Sequence, residues 1–131
     1  MSKLTQEEAE KLLNDAGITW SSSGSCSDRN NSHCTSFEQI NSRTVEGIIA
    51  LKKASRIAIN ITGGTELGHS SGSQSHWHGY KLDITPSKEI SQYITETFEY
   101  VGVRGDGAKM YKSKSGDIYA RESNHWDITF V

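Results

Sequence analysis

The stretch HWDITFV, residues 125–131, alternates strictly between two kinds of side chain. Trp126, Ile128 and Phe130 are apolar, whereas His125, Asp127 and Thr129 are polar. Successive side chains of a β-strand point to opposite faces, so this pattern predicts a strand with one face in a core and the other carrying polar, metal-competent groups. The stretch YKLDI, residues 80–84, has the same form: Tyr80, Leu82 and Ile84 oppose Lys81 and Asp83. If the two strands belong to one sheet, Asp83 and His125 share its polar face and border a shallow cleft.

Three further stretches, EYVGV (99–103), KMYKS (109–113) and DIYAR (117–121), are separated by the turn-forming GDG and KSG and predict short antiparallel strands. RIAINITGG, residues 56–64, sets Ile57, Ile59 and Ile61 on one face and breaks at Gly63 and Gly64, as a strand does on entering a loop. Thr5 and Glu8 form a capping-box pair ahead of an apolar helical face of Ala9, Leu12, Leu13 and Ala16, and Gly17 ends that run. Residues 44–54 supply Val45, Ile48, Ile49 and Leu51 to the buried side of a second helix. TPSKEISQYITETF, residues 85–98, carries the cap and first-turn proline of a third. The plan is α+β: a small single domain over 1–131, with helices packed on a mainly antiparallel sheet. Within it, 1–20 is the N-terminal helical segment, 21–35 a loop too polar to build core, and 36–131 the part that carries the site.

With 14 basic and 16 acidic residues spread without blocks, the chain has no basic stripe to follow a nucleic-acid backbone or an anionic membrane, and neither is expected as a partner. The stretch MSKLTQEEAEKLL puts acidic residues where a signal peptide needs a continuous apolar run, and no later run approaches the length of a membrane span. Cys26 and Cys34 lie eight positions apart in the polar segment SCSDRNNSHC, a spacing that suits a short disulfide loop and an oxidising setting. Two reduced thiols, or a metal knuckle completed by His33, are the alternatives.

Around the two polar-faced strands stand His76, seven residues before Asp83, and Glu122, three residues before His125. His76, Asp83 and His125 make a two-histidine, one-carboxylate ligand set that suits Zn2+ and leaves a fourth tetrahedral position for water, the pattern of a catalytic site rather than a closed structural one. Glu122 is near enough to a ligand to act as general base without binding the metal.

SHWHGYKLD, residues 75–83, reads HxxGxxxD, and RESNHWD, residues 121–127, reads ExxHW. In this order the two motifs resemble the zinc D-Ala-D-Ala carboxypeptidases and L-alanyl-D-glutamate peptidases, among them phage endolysins, which share a small α+β fold with the zinc site in a surface cleft. ITGGTELGH, residues 61–69, is similar to the strand and loop that lead into the first motif in phage lysins. The resemblance spans about residues 36–131 in order of elements, while only the two short motifs carry individual residues. It implies that His76, Asp83 and His125 bind zinc, that Glu122 is the base, and that the substrate is a bacterial peptidoglycan peptide cut at a stem-peptide or cross-bridge amide. It further implies action in the cell wall or periplasm, phage-delivered or exported, as a monomer or as part of a larger phage protein. A zinc-containing wall-binding or phage structural module of the same fold, without turnover, is the alternative.

The chain departs from the family in two places. The usual SxHxxG opening is altered, with Gln74 two positions before His76 and Ser73 and Ser75 beside it. The arginine usual after the first strand is replaced by a Gly63-Gly64-Thr65-Glu66 sequence. Gln74, Ser75, Tyr80, Arg43 and Arg121 are candidates to take over its contact with substrate, and His78 is expected to line the cleft. His69 is expected either to support a ligand or to bond within its loop, and Asp127 either to orient His125 or to sit exposed on its strand. Trp77 and Trp126 are expected as core or cleft-wall aromatics.

Overall fold

Local signals place most of the secondary structure of this chain, whose computed structural model describes residues 2–131. In chain order the elements are β1 (Lys3–Leu4), α1 (Gln6–Asp15), β2 (Thr19–Trp20), β3 (Ile40–Asn41), α2 (Ser42–Ser55), β4 (Asn60–Gly63), β5 (Lys81–Ile84), α3 (Lys88–Thr97), β6 (Glu99–Val103), β7 (Lys109–Lys112), β8 (Ile118–Arg121) and β9 (Trp126–Thr129). The capping box of α1 is formed: the Glu8 amide donates to Thr5 Oγ1 at 3.1 Å and the Thr5 amide to Glu8 Oε1 at 2.9 Å. Ala9 and Leu13, four apart on one face, are buried, but Leu12 is 44% exposed. It stands a 100° turn away from Leu13, outside the narrow seam that a short helix buries. Ser87 caps α3 by accepting from the Ile90 amide at 3.2 Å, so Pro86 precedes the cap and is not in the first turn as expected. Arg56 ends α2 in the left-handed conformation, φ 59°, and β4 begins only at Asn60, later than the alternating run.

The strands form one seven-stranded sheet in the order β2-β4-β5-β9-β8-β7-β6 and a two-stranded pair of β1 with β3. β2 joins β4 in parallel and the other pairings are antiparallel, which makes the architecture of the described residues α+β with a mixed, mainly antiparallel sheet and three helices. The two strands that first suggested the fold are direct neighbours, with Leu82 opposite Ile128, Ile84 opposite Trp126, and Asp83 opposite Asp127. Their apolar side chains join Val45, Ile48 and Leu51 of α2 and Ile90 and Ile94 of α3 in one buried cluster. No helix among the described residues is long and apolar enough to cross a membrane.

The opposite face of β5 and β9 is not the open surface that the alternation suggests. Asp83 and Asp127 are each only 6% exposed, because the segment between β4 and β5 folds over them. The Cys26–Cys34 disulfide is formed, which sets aside both the reduced thiols and the metal knuckle with His33. The polar loop 21–35 is not wholly outside the core: Cys34 and Thr35 are buried, and Thr35 Oγ1 lies within hydrogen-bond distance of both Ser21 O (2.8 Å) and Thr62 O (3.1 Å).

Gly79, the glycine of HxxG, has a structural reason to be one. Its φ is +85°, and a Cβ there would lie within 3.0 Å of backbone atoms of Gln39, Ile40 and Asn41, which cannot move aside as a side chain could. Gly79→Ala is expected to lower unfolding free energy by at least about 2 kcal/mol in urea denaturation. Gly105→Ala, with nothing within 4 Å of the added carbon, is the near-neutral control.

Candidate metal centre

The loop after β4, β5, the β6–β7 turn, the β8–β9 connection and β9 converge on a cleft of about 700 Å³. Its wall includes His69, His76, Asp83, Arg104, Glu122 and Asp127, with His125 beside them. All four residues singled out for metal and base therefore meet there. His76 Nε2 lies 3.3 Å from Asp83 Oδ1, and His125 Nε2 lies 3.5 Å from the same oxygen. Glu122 Oε2 is 3.0 Å from His125 Nε2.

The far side of each ring fixes what the near side offers. His76 Nδ1 is 2.9 Å from Gly64 O, and His125 Nδ1 is 2.6 Å from Asn124 Oδ1. A carbonyl oxygen only accepts, so each Nδ1 carries a proton, and in the neutral ring Nε2 is left with a free lone pair aimed at the cleft. Asp83 Oδ1 and Asp127 Oδ1, both facing His76 Nε2 at 3.3 Å, are buried and take part in no hydrogen bond. Buried oxygens of this kind cost about 1–3 kcal/mol each or more when left so. Lone pairs facing lone pairs repel, so the cluster calls for a positive centre, either a proton or a metal ion.

Without a metal, that centre is a proton on His76. Burial lowers the affinity of His76 for a proton, but the facing carboxylates of Asp127 and Asp83 outweigh it and raise the pKa to about 9. On Asp127, burial pulls upward, and the contacts with His76 and Lys81 overcome it and hold the carboxyl well below the usual carboxylate range. With a metal, the same atoms become ligands: His69, His76 and Asp83 bring one ligand atom each within 4.8 Å of one another, a group that could hold an ion. His69 reaches Asp83 Oδ2 with Nδ1 at 3.7 Å, while its Nε2 sits 2.5 Å from the buried Glu66. Its ring stacks on that of His76 with centroids 3.7 Å apart and planes at 17°.

Several residues fall elsewhere than expected. Asp127 neither orients His125 nor lies exposed; its Oδ2 accepts from Lys81 Nζ at 3.0 Å and Arg104 Nη1 at 2.9 Å. Gln74 and Ser75 do line the cleft, with Gln74 exposed. His78 is outside it, its Nδ1 3.0 Å from Ser75 Oγ, and Tyr80 lies under the Lys3 ammonium, 5.7 Å from the ring centre. Arg43 is far from the chemistry: it pairs through Nη2 with both oxygens of Asp117 at 3.1 Å, in a separate groove beside Tyr93, Phe98 and Tyr119. Arg121 donates to the carbonyl of Glu122 and so supports the turn that carries Glu122. Trp126 is core, and Trp77 is covered by Arg29.

Arg104 is a charged cleft residue that the sequence pattern did not single out. It lies on the β6–β7 turn and holds Asp106 (2.7 Å), Asp127 (2.9 Å) and Glu122 (3.1 Å) at once. Hydrogen bonds to Asp106 above all, then to Asp127 and Glu122, raise its pKa against the opposing effect of burial, so it is permanently charged. Its sequence context, GVRGDG, reads only as a turn. The place of Asp127 on the cleft side of β9, by contrast, had a signal in the alternation of residues 125–131, although its burial did not.

Compared with known proteins, the chain matches no family model, no curated protein and no solved structure. The site therefore has to be understood from its own chemistry. The stabilising protonation of His76 is fully present below its unfolded value of 6.5 and is lost as pH rises through about 9. An NMR titration of the metal-free protein is accordingly expected to find the His76 imidazolium persisting to about pH 9; a midpoint below 7 contradicts the two-carboxylate cage.

Proposed function

We propose that the chain is a zinc-dependent peptidoglycan peptidase that hydrolyses an amide of the stem peptide or cross-bridge. The observation that carries this reading is Asp83 Oδ1, a buried carboxylate oxygen without a hydrogen bond, toward which two imidazole nitrogens point from 3.3 and 3.5 Å. Two nitrogens and one oxygen suit zinc, and they belong to motifs that resemble the zinc D-Ala-D-Ala and L-alanyl-D-glutamate peptidases. In this reading His125, not His69, completes the set. A ligating imidazole keeps the ion in its ring plane, and the nearly parallel, stacked rings of His69 and His76 direct their lone pairs along nearly parallel planes. His69 is then a support, held by Glu66 and packed on His76.

Zinc bound there supplies a Lewis acid that acidifies water and polarises a peptide carbonyl. Glu122, beside His125 on the cleft wall, accepts a proton from the attacking water and delivers it to the departing amine. Arg104 fixes the Glu122 carboxylate at 3.1 Å and keeps a positive fork near the oxygen that gains negative charge during attack. That cation stands in for the arginine whose family position is occupied here by Thr65 and Glu66. Gln74 at the rim offers an amide to an incoming peptide. The chemistry belongs to the cell wall or periplasm, where such a peptide is found.

A wall-binding module of the same fold without turnover is favoured by one contact. Glu122 Oε2 already faces both Arg104 and His125, which leaves it partly occupied as a base.

Metal analysis is expected to find about one zinc per chain, as for a single three-ligand site. His125→Ala should weaken binding more than about 10-fold, the effect of losing a ligand, and His69→Ala less. Glu122→Gln should keep the zinc and slow release of new amine termini from digested walls by about 10²–10⁴-fold, read by mass spectrometry. Wild-type turnover in Glu122→Gln removes Glu122 as the base, whereas zinc-loaded wild type that binds walls and releases no amine selects the binding module.

A further inference from the structure

Between β4 and β5, residues 64–80 contain neither helix nor strand, yet this segment carries His76 and must aim it at Asp83. Much of what holds it comes from the disulfide loop. Among residues 27–33 at the tip of that loop, only Arg29 is not exposed. Its guanidinium donates to Thr65 O through Nε at 3.4 Å and to Trp77 O through Nη2, and its Cζ lies over the Trp77 ring, 3.5 Å from the centroid. The Arg29 carbonyl in turn accepts from the Leu67 amide at 3.0 Å.

The two carbonyls gripped by Arg29 belong to particular neighbours. Thr65 follows Gly64, whose carbonyl oxygen receives the His76 Nδ1 proton at 2.9 Å, and Trp77 follows His76 itself. The distance between these two backbone segments sets the direction of His76 Nε2. Arg29 spans them without lining the cleft, so it acts through His76 and not on a substrate. A lysine in its place has one compact cation and cannot bridge two carbonyls while stacking on an indole. The loop that presents Arg29 is closed by Cys26–Cys34, and opening it returns conformational freedom to every residue in between.

We propose that Arg29, presented by the Cys26–Cys34 loop, is a positioning residue for His76, and that reduction of this disulfide weakens metal binding at the site. The proposal rests on zinc being held by His76, Asp83 and His125. In the reduction, a dithiol is oxidised to its own disulfide while its two electrons and two protons convert Cys26 and Cys34 to thiols. The site is then assembled fully only in oxidising surroundings, consistent with work outside the cytosol, and stands down in a reducing one.

Three variants test this: Arg29→Ala, Arg29→Lys, and the double variant Cys26→Ser with Cys34→Ser, which mimics the open loop without offering thiols to the metal. Zinc affinity is read by competition with a chromogenic chelator, and hydrogen exchange is followed in the metal-free proteins. Each variant is expected to bind zinc about 10-fold more weakly, the usual effect of losing a group that orients a ligand, and to exchange faster over residues 64–80 while β5 and β9 stay protected. Unchanged affinity and exchange in the Arg29 variants overturns the positioning role, and an unchanged double variant overturns the redox dependence. Lost protection in β5 and β9 as well makes the clamp a support of the whole fold and also overturns the proposal. If wild type binds no zinc, the metal reading fails, and the exchange over residues 64–80 still decides whether Arg29 holds the His76 loop.

Discussion

Asp83 and Asp127 face each other across β5 and β9, both buried, and the surroundings are organised to make that tolerable. Like charges directly opposite on neighbouring strands destabilise a sheet, and burying them removes the water that would screen them. Cations answer on one side: Lys81 and Arg104 both reach Asp127 Oδ2. On the other, Asp83 Oδ1 and Asp127 Oδ1 turn toward the His76 nitrogen. Two carboxylates held this way have a standing requirement for positive charge between them, which a protonated imidazole meets and a metal ion could meet. Arg104 links this pair to Glu122, so the placement of the Glu122 carboxylate depends on the same charge balance.

His76 is aimed by a segment with no regular structure, and its precision is built largely from contacts with the backbone. A Cβ on Gly64 would overlap the Ser36 carbonyl oxygen, so the chain can pass this point only as glycine. The Gly64 amide and the Ser36 amide both donate to Glu66 Oε1 at 2.9 Å, which closes the turn around a buried carboxylate. Glu66 then bonds His69, and His69 stacks on His76. Glu66 is thus an internal strut, and the positive charge enters the cleft from Arg104 on the β6–β7 turn. The same arrangement explains why Arg43, attractive by its charge, has no part in the site: Asp117 engages it in a separate groove.

Short-range periodicity accounts for the features that were legible before any fold was known. Alternation placed β5 and β9 and put Asp83 and Asp127 on one face. The capping box placed α1, and the Cys26–Cys34 spacing suited the disulfide that is formed. The cluster of His76, Asp83, Glu122 and His125 was also legible, because two short motifs bring those residue types at fixed separations to neighbouring strands. Tertiary structure alone decided the burial of the two aspartates, the parallel pairing of β2 with β4, the entry of Arg104, and the grip of Arg29 on the His76 loop. These depend on which segments cover a face and which long side chains reach across it. Such contacts join residues tens of positions apart, and no local pattern of side chains encodes them.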